Sequence, residues 1–235
     1  MTSIFNMIVR YILVVTIVIS FCISQAQEPI TLLIDSLTLV NDNTEKARLS
    51  NKIAWELKDS DWERTMHYLD YSEELSKASN SDETLARFYV AAADIYFDKD
   101  VLDVALNYYQ KANTIYTINN NIKEKVILEN NLAIIFARLN NKDKALNYFK
   151  KVYQYQVNQN DSIYLAQILN NIGTLFLGEN ADSSEAYYLK SLEIANKLND
   201  IEVYAYLYTN LGRAYFLKND LKTAQKYFDK AIVPA

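Results

Sequence analysis

Glycine and proline are nearly missing: the 235-residue chain has three Gly and two Pro, where the two together usually make up about 12 % of a protein. A β-sandwich or a doubly wound α/β domain needs those residues at its tight turns, so their scarcity points to helices joined by Asn/Asp turns. It also excludes phosphate-binding glycine loops, since neither GxGxxG nor GxxxxGK[ST] can be written from three glycines this far apart. One Cys and one His exclude zinc sites of the usual ligand count and leave only a Cys–His pair for nucleophilic chemistry. No basic run is present and the net charge is −5, which argues against a nucleic-acid partner. What is abundant is apolar: 50 % hydrophobic residues against 23 % charged, the composition of a folded protein with a sizeable core.

The amino terminus reads as an address. Arg10 is the only charge before Glu28, and it precedes the thirteen-residue apolar run Tyr11 to Ile23 and then Ser24-Gln25-Ala26. A basic start, a short greasy stretch and small residues at −3 and −1 predict a secretory signal peptide over 1–26, cleaved after Ala26. The run is shorter than the ~18 residues of a spanning helix; an uncleaved anchor is the alternative. Cys22 follows Phe21 rather than the small residue of a lipoprotein signal, and it belongs to the discarded segment. The mature chain then holds no cysteine and, losing only Arg10, moves from −5 to −6. A thiol-free chain suits an oxidising compartment.

A period of about forty residues governs the rest. Small residues fall at Ala54, Ala93, Ala133, Gly173 and Gly212, at intervals of 39, 40, 40 and 39. Each is preceded by Ile53, Ala92, Leu132, Ile172 or Leu211 and followed three residues on by Leu57, Tyr96, Phe136, Phe176 or Tyr215. A second small residue comes eleven or twelve positions later (Thr65, Ala105, Ala145, Ser184, Ala224), then a bulky one (Leu69, Tyr109, Phe149, Tyr188, Phe228), then a compact one (Ser72, Ala112, Val152, Ser191, Ala231). Offsets of 3, 4 and 7 put side chains on one helix face. Small residues facing each other across a hairpin let the backbones approach, and the bulky residue a turn away fills the gap to the next pair. One hairpin cannot bury both faces, so hairpins stack. Polar clusters around Asn80, Asn120, Asn160 and Asp200 mark the turns between pairs.

The order L-G/A-x-x-Y followed by A-x-x-x-F-x-x-A resembles the tetratricopeptide repeat. Asn210-Leu211-Gly212-Arg213-Ala214-Tyr215 with Ala224, Phe228 and Ala231 match it best; Leu132-Ala133, Phe136, Ala145 and Phe149 come next. The resemblance implies an all-α, right-handed α–α solenoid of five hairpins, with repeats at about 44–80, 83–120, 123–160, 162–199 and 201–235. A short helix and turn over 27–43, with Ile30 to Val40 as its amphipathic part, would precede and cover the stack. The usual repeat is 34 residues with a Pro closing its second helix; here Lys77, Thr117, Val157 and Asn196 stand there, so the second helix is expected to run about a turn and a half further at ~1.5 Å per residue. Longer repeats of this kind are similar to those of bacterial peptide-sensing regulators and of the input regions of membrane-bound signalling proteins.

The resemblance also implies a concave groove lined by the first helix of each repeat. Its usual facing positions carry over to Arg48, Asn51, Lys52 and Trp55; Arg87, Val90, Ala91 and Asp94; Ile127, Asn130, Asn131 and Ile134; Gln167, Asn170, Asn171 and Thr174; and Tyr206, Thr209, Asn210 and Arg213. Asn131, Asn171 and Asn210 share one repeat position. A row of amides supplies donors and acceptors to the backbone of an extended peptide; the competing use is hydrogen bonding between adjacent repeats. The two-carboxylate clamp of chaperone-binding repeats lacks its residues here.

Other candidates fail on chemistry. Glu63 and His67 have metal-ligand spacing but no third ligand. Asp98 to Asp103 begins like a calcium loop, yet has Leu at its fifth position and no glycine at its sixth; it reads as a turn with Asp100 capping the next helix. No catalytic set, cofactor or metal site is expected. The expectation is an exported, non-catalytic scaffold of the periplasm or cell envelope that binds a protein or peptide. The alternative is the sensor half of a membrane-bound signalling or transcription regulator that continues beyond residue 235. A membrane enters only through an uncleaved leader or such a continuation, and the uncovered last repeat offers a face for self-association.

Overall fold

The computed structural model describes residues 30–159, 162–198 and 201–232. The expected signal peptide lies outside the described residues. Every described element is a helix, and among the described residues there is no strand. The order is α1 (30–39), α2 (Asn43–Leu57), α3 (Trp62–Ala78), α4 (Asp82–Asp98), α5 (Leu102–Ile118), α6 (Ile122–Arg138), α7 (Lys142–Gln159), α8 (Ser162–Phe176), α9 (Ala181–Leu198), α10 (Ile201–Leu217) and α11 (Leu221–Ile232). The chain divides into two compact units between Val101 and Leu102, so the two helices of the second expected repeat, α4 and α5, fall in different units. Among the described residues no helix is long and apolar enough to cross a membrane.

Helix starts follow from short polar side chains. The carboxylates or hydroxyls of Asp42, Asp61 and Ser81 accept from the backbone N–H three residues on, at 2.8, 3.0 and 3.2 Å. Asn141, Asn180 and Asp220 do the same for α7, α9 and α11. Each satisfies a backbone donor that the first turn leaves unpaired. Helix ends use the left-handed conformation that glycine usually supplies: Asn80, Asp100, Asn120, Asn140 and Asn219 have φ between 52° and 61°. Asn and Asp tolerate this region because their side chains bond locally, which is how the chain makes tight turns with so little glycine.

Asp100 adds to the reading of residues 98–103. Its φ of 59° closes α4, with its N–H donating to Phe97 O at 3.0 Å and that of Val101 to Tyr96 O at 2.9 Å, the paired bonds of a glycine-type helix stop. Without the proline, α3, α5, α7 and α9 run through Lys77, Thr117, Val157 and Asn196, but they stop one or two residues later, at Ala78, Ile118, Gln159 and Leu198, short of the further turn and a half expected.

In the first unit α2 packs on α3, and α4 packs on both. Ala54 and Thr65 are wholly buried, and Ser72 Oγ crosses to Ala47 O at 3.0 Å. In the second unit each helix from α5 to α11 packs on the next, and α8 also touches α6 and α10. Ala133 and Ala145, like Gly173 and Ser184, are buried where the hairpin helices meet. Ser184 and Ser191 donate to Gly173 O and Ala166 O. Phe149 and Tyr188 fill the space between pairs, at 1 % and 0 % exposure.

Ion pairs join neighbouring hairpins at the turns. Lys58 meets Asp98 at 2.9 Å and Asp59 at 2.5 Å, and Lys99 meets Asp59 at 2.7 Å. The hydrogen bond from the Lys58 ammonium, then that from Lys99, lowers the Asp59 carboxyl from 3.8 to about 2. A carboxylate whose folded pKa is depressed adds stability above its unfolded pKa and loses it as pH falls through the folded value. The thermal midpoints of the protein and of Asp59→Asn are therefore expected to differ at pH 7 and to converge between pH ~4 and ~2. The gap should be small, since the pair is exposed, and should shrink in 1 M salt. A gap that persists at pH 2 would refute the assignment.

Candidate functional site

The proposed groove residues divide sharply by what they already touch. In the first unit, Arg48 is held by Glu45 on its own helix at 2.5 Å, and Arg87 by Glu83 at 2.7 Å. Trp55 is exposed, with the Lys58 ammonium 4.7 Å above its ring. Asn51 has its side-chain oxygen buried without a hydrogen-bond partner, and Asp94 is half-buried.

In the second unit the amide row does not act as a row. Asn131 donates to Tyr109 Oη at 3.3 Å. Asn210 donates to the side chain of Asn170, forty residues back, at 2.8 Å, and Asn170 is itself buried. The competing use of these amides, bonding across the fold, thus holds for Asn131 and for the Asn170–Asn210 pair. Asn130 is half-buried, while Gln167 and Arg213 are exposed.

Asn171 differs. It lines a cleft of about 400 Å³ between α6 and α8, with Ile134, Ala137 and Arg138 on one wall and Thr174, Leu175 and Leu177 on the other. Phe149 forms part of the floor, and Asn140, Lys142 and Glu179 stand at the turns. The Thr174 hydroxyl donates to Asn170 O at 3.0 Å and accepts from Tyr188 Oη at 3.1 Å, so the wall is braced from behind. Lys142 pairs with Glu179 and lies 4.4 Å above the Phe176 ring. An apolar trough with two amides and a few charges at its rim is the chemistry of a binding site. Among the described residues no three His, Cys, Asp or Glu side chains are grouped to hold a metal.

Two features escaped the sequence reading. Arg138, Lys142, Leu175, Leu177 and Glu179 lie at or near helix ends, outside the positions carried over from the repeat. The second is a row of tyrosines one place before the bulky residues of the second helices. Tyr148, Tyr187 and Tyr227 stack on Phe136, Phe176 and Tyr215, with centroids 5.7, 5.7 and 5.4 Å apart. A lysine three residues on lies over each tyrosine, Lys151, Lys190 and Lys230, at 5.0, 5.9 and 5.7 Å. The forty-residue return of Tyr-x-x-Lys was the available signal. Tyr215 also donates to Glu185, and that bond to a carboxylate pushes its phenol up to about 12. Lys218 closes the same cluster on Asp182 at 2.7 Å and Glu185 at 2.5 Å.

Residues 164–232 match the family model of the tetratricopeptide repeat. BtubC (BKLC) from P. vanneervenii shares 19 % identity over 89 % of this chain and 87 % of its own, with a TM-score of 0.73. A Rap protein complexed with Competence and Sporulation Factor shares 17 % over 86 % of this chain and 57 % of its own, TM-score 0.69. The Rap conjugation gene regulator of plasmid pLS20, in complex with a Phr peptide, shares 15 % over 90 % and 69 %, TM-score 0.60. No curated protein matches the chain in sequence. The family match covers the last two expected repeats, and the likeness in fold to these solved structures extends over most of the rest of the chain.

Proposed function

We propose that this protein is a non-catalytic binding repeat that holds a segment of polypeptide in the cleft between α6 and α8. The observation that carries the reading is Asn171, a repeat-position amide on the wall of an apolar cleft of about 400 Å³, where it offers a donor and an acceptor to a peptide backbone. A Rap regulator of the same fold was solved with a peptide bound, which supports polypeptide as the ligand class. Export rests on residues 1–26 alone, and the proposed setting is the periplasm or cell envelope. The signalling alternative uses the same cleft as an input site. The Rap conjugation gene regulator favours it, and reading the gene past codon 235 separates the two.

A random peptide display library selected on the full chain should yield binders that are lost with the cleft. Asn171→Ala is expected to weaken them about tenfold, roughly 1.4 kcal/mol, with the thermal midpoint nearly unchanged; Ile134→Asp should weaken them at least as much, with a lowered midpoint because Ile134 also packs against the core of the second unit. Arg48→Ala, in the other unit, should leave binding intact. Binders indifferent to both cleft variants would refute the site.

A further inference from the structure

We propose that the first unit carries a binding site of its own, for the flat, neutral sugar rings of an oligosaccharide, with Trp62 as the platform. The site is independent of the cleft between α6 and α8. Its basis is a hollow of about 590 Å³ where the α2–α3 turn meets the end of α4, lined by residues 58–62, Lys99 and Val101. That volume lies within the ~300–1,000 Å³ of small-molecule sites. It is also about four times the ~150 Å³ that holds a benzene ring, so it has room for more than one sugar ring.

Trp62 supplies the apolar wall. It opens α3 directly after the capping residue Asp61 and is 42 % exposed, with Val101 exposed beside it. Tyr96 meets the Trp62 ring at 79°, with centroids 5.9 Å apart, which fixes the tilt of the indole. A rigid aromatic surface with a wet rim suits a guest that has an apolar face and polar edges.

Charge narrows the guest to a neutral one. Lys58 is paired with Asp59 and Asp98, and Lys99 with Asp59, so both oxygens of Asp59 are engaged. Asp61 stands at the positive end of α3, its Oδ1 accepting from the Arg64 N–H at 3.0 Å, where the helix offsets its charge. An ionic ligand would compete with pairs already made. Hydrogen-bonding capacity does remain. Asp61 keeps its Oδ2 as an acceptor, the Ser60 hydroxyl reaches Leu57 O at only 3.4 Å, and the Lys99 ammonium has N–H groups beyond the one given to Asp59. Donors and acceptors side by side, with no spare charge, match hydroxyl groups, each of which both donates and accepts. A pyranose with equatorial hydroxyls has C–H faces and a hydroxyl rim. Stacked on Trp62, it presents that rim to Ser60, Asp61 and Lys99.

The probe is cellohexaose, a neutral chain of such rings, titrated against the full chain by isothermal calorimetry. Saturable binding is expected. The chain has two tryptophans, so in Trp55→Phe the indole emission comes from Trp62 alone, and cellohexaose should move it to shorter wavelength. Trp62→Ala should weaken binding at least tenfold, and Trp62→Tyr much less. Asp61→Asn keeps an oxygen to cap α3 but replaces the free acceptor with a donor. It should weaken binding about tenfold, the loss of one hydrogen bond to a charged group, with the thermal midpoint nearly unchanged. Asn171→Ala should leave cellohexaose binding intact, which separates this result from the fate of the cleft. Absence of heat and of any emission change with cellohexaose overturns the proposal. So does binding indifferent to both Trp62→Ala and Asp61→Asn, or tighter binding of a glucuronic acid oligomer of the same length.

Discussion

Tyr188→Ala is expected to cost about 3–5 kcal/mol, the range for emptying a buried aromatic site. The ring of Tyr188 is 0 % exposed and packs with Leu211 and Ala214, its edge lies over Gly173, and its hydroxyl reaches Thr174. One side chain therefore ties α9 to both α8 and α10. Tyr188→Phe keeps the ring and removes only the hydroxyl, leaving Thr174 without its donor, and should cost about 1–2 kcal/mol. Because stacked repeats depend on their neighbours, the Ala variant should unfold α8 to α11 ahead of the rest and broaden the urea transition, with a lower apparent m-value. A loss below about 1 kcal/mol in urea would show that the repeat interface does not rest on this residue.

Gly173→Ala should also destabilise, against the direction that helix propensity alone gives. Replacing a mid-helix glycine with alanine ordinarily gains about 1 kcal/mol. Here the new Cβ would fall 2.6 and 2.7 Å from two ring carbons of Tyr188. That ring is enclosed on all sides, so relief requires the helices to separate, and overpacking of this kind costs about 1–3 kcal/mol. Gly212 is as tightly placed, 2.5 Å from the Phe228 ring, but Phe228 is only half-buried and can turn outward, so Gly212→Ala should cost less than half as much. Combining Gly173→Ala with Tyr188→Leu reproduces the Ala54 and Leu69 pairing of the first unit. The double variant should be more stable than the two single costs imply, by about 1 kcal/mol of coupling. A raised melting temperature in Gly173→Ala alone would overturn the close-approach argument.

The alternation of small and bulky residues was legible because burial by shape repeats with the helical period: Ala54, Ala133 and Gly173 sit where their spacing required. The turns were legible in kind, since Asn80, Asn120, Asn140 and Asn219 adopt the left-handed stops that scarce glycine left to them. Asp100 was read as a cap of the following helix, and its role as the left-handed stop of the preceding one was missed, because a short acidic residue satisfies the residue preferences of both. The cleft was half legible. Asn171, Ile134 and Thr174 came from repeat position, whereas Arg138, Leu177 and Glu179 reach it from helix ends and turns, where no period operates.

Residue order by itself determined that the chain is helical, where helices begin and stop, and which small side chains must meet which large ones. These depend on local backbone preference and on volume, both of which recur with every repeat. Tertiary structure decided which amides remain open to a guest. Asn131, Asn171 and Asn210 share one position in the repeat, yet Asn131 is taken by Tyr109, Asn210 by Asn170, and Asn171 faces the cleft. A hydrogen bond is made or lost over less than an ångström, and displacements of that size between neighbouring helices leave no mark in a pattern of residue types.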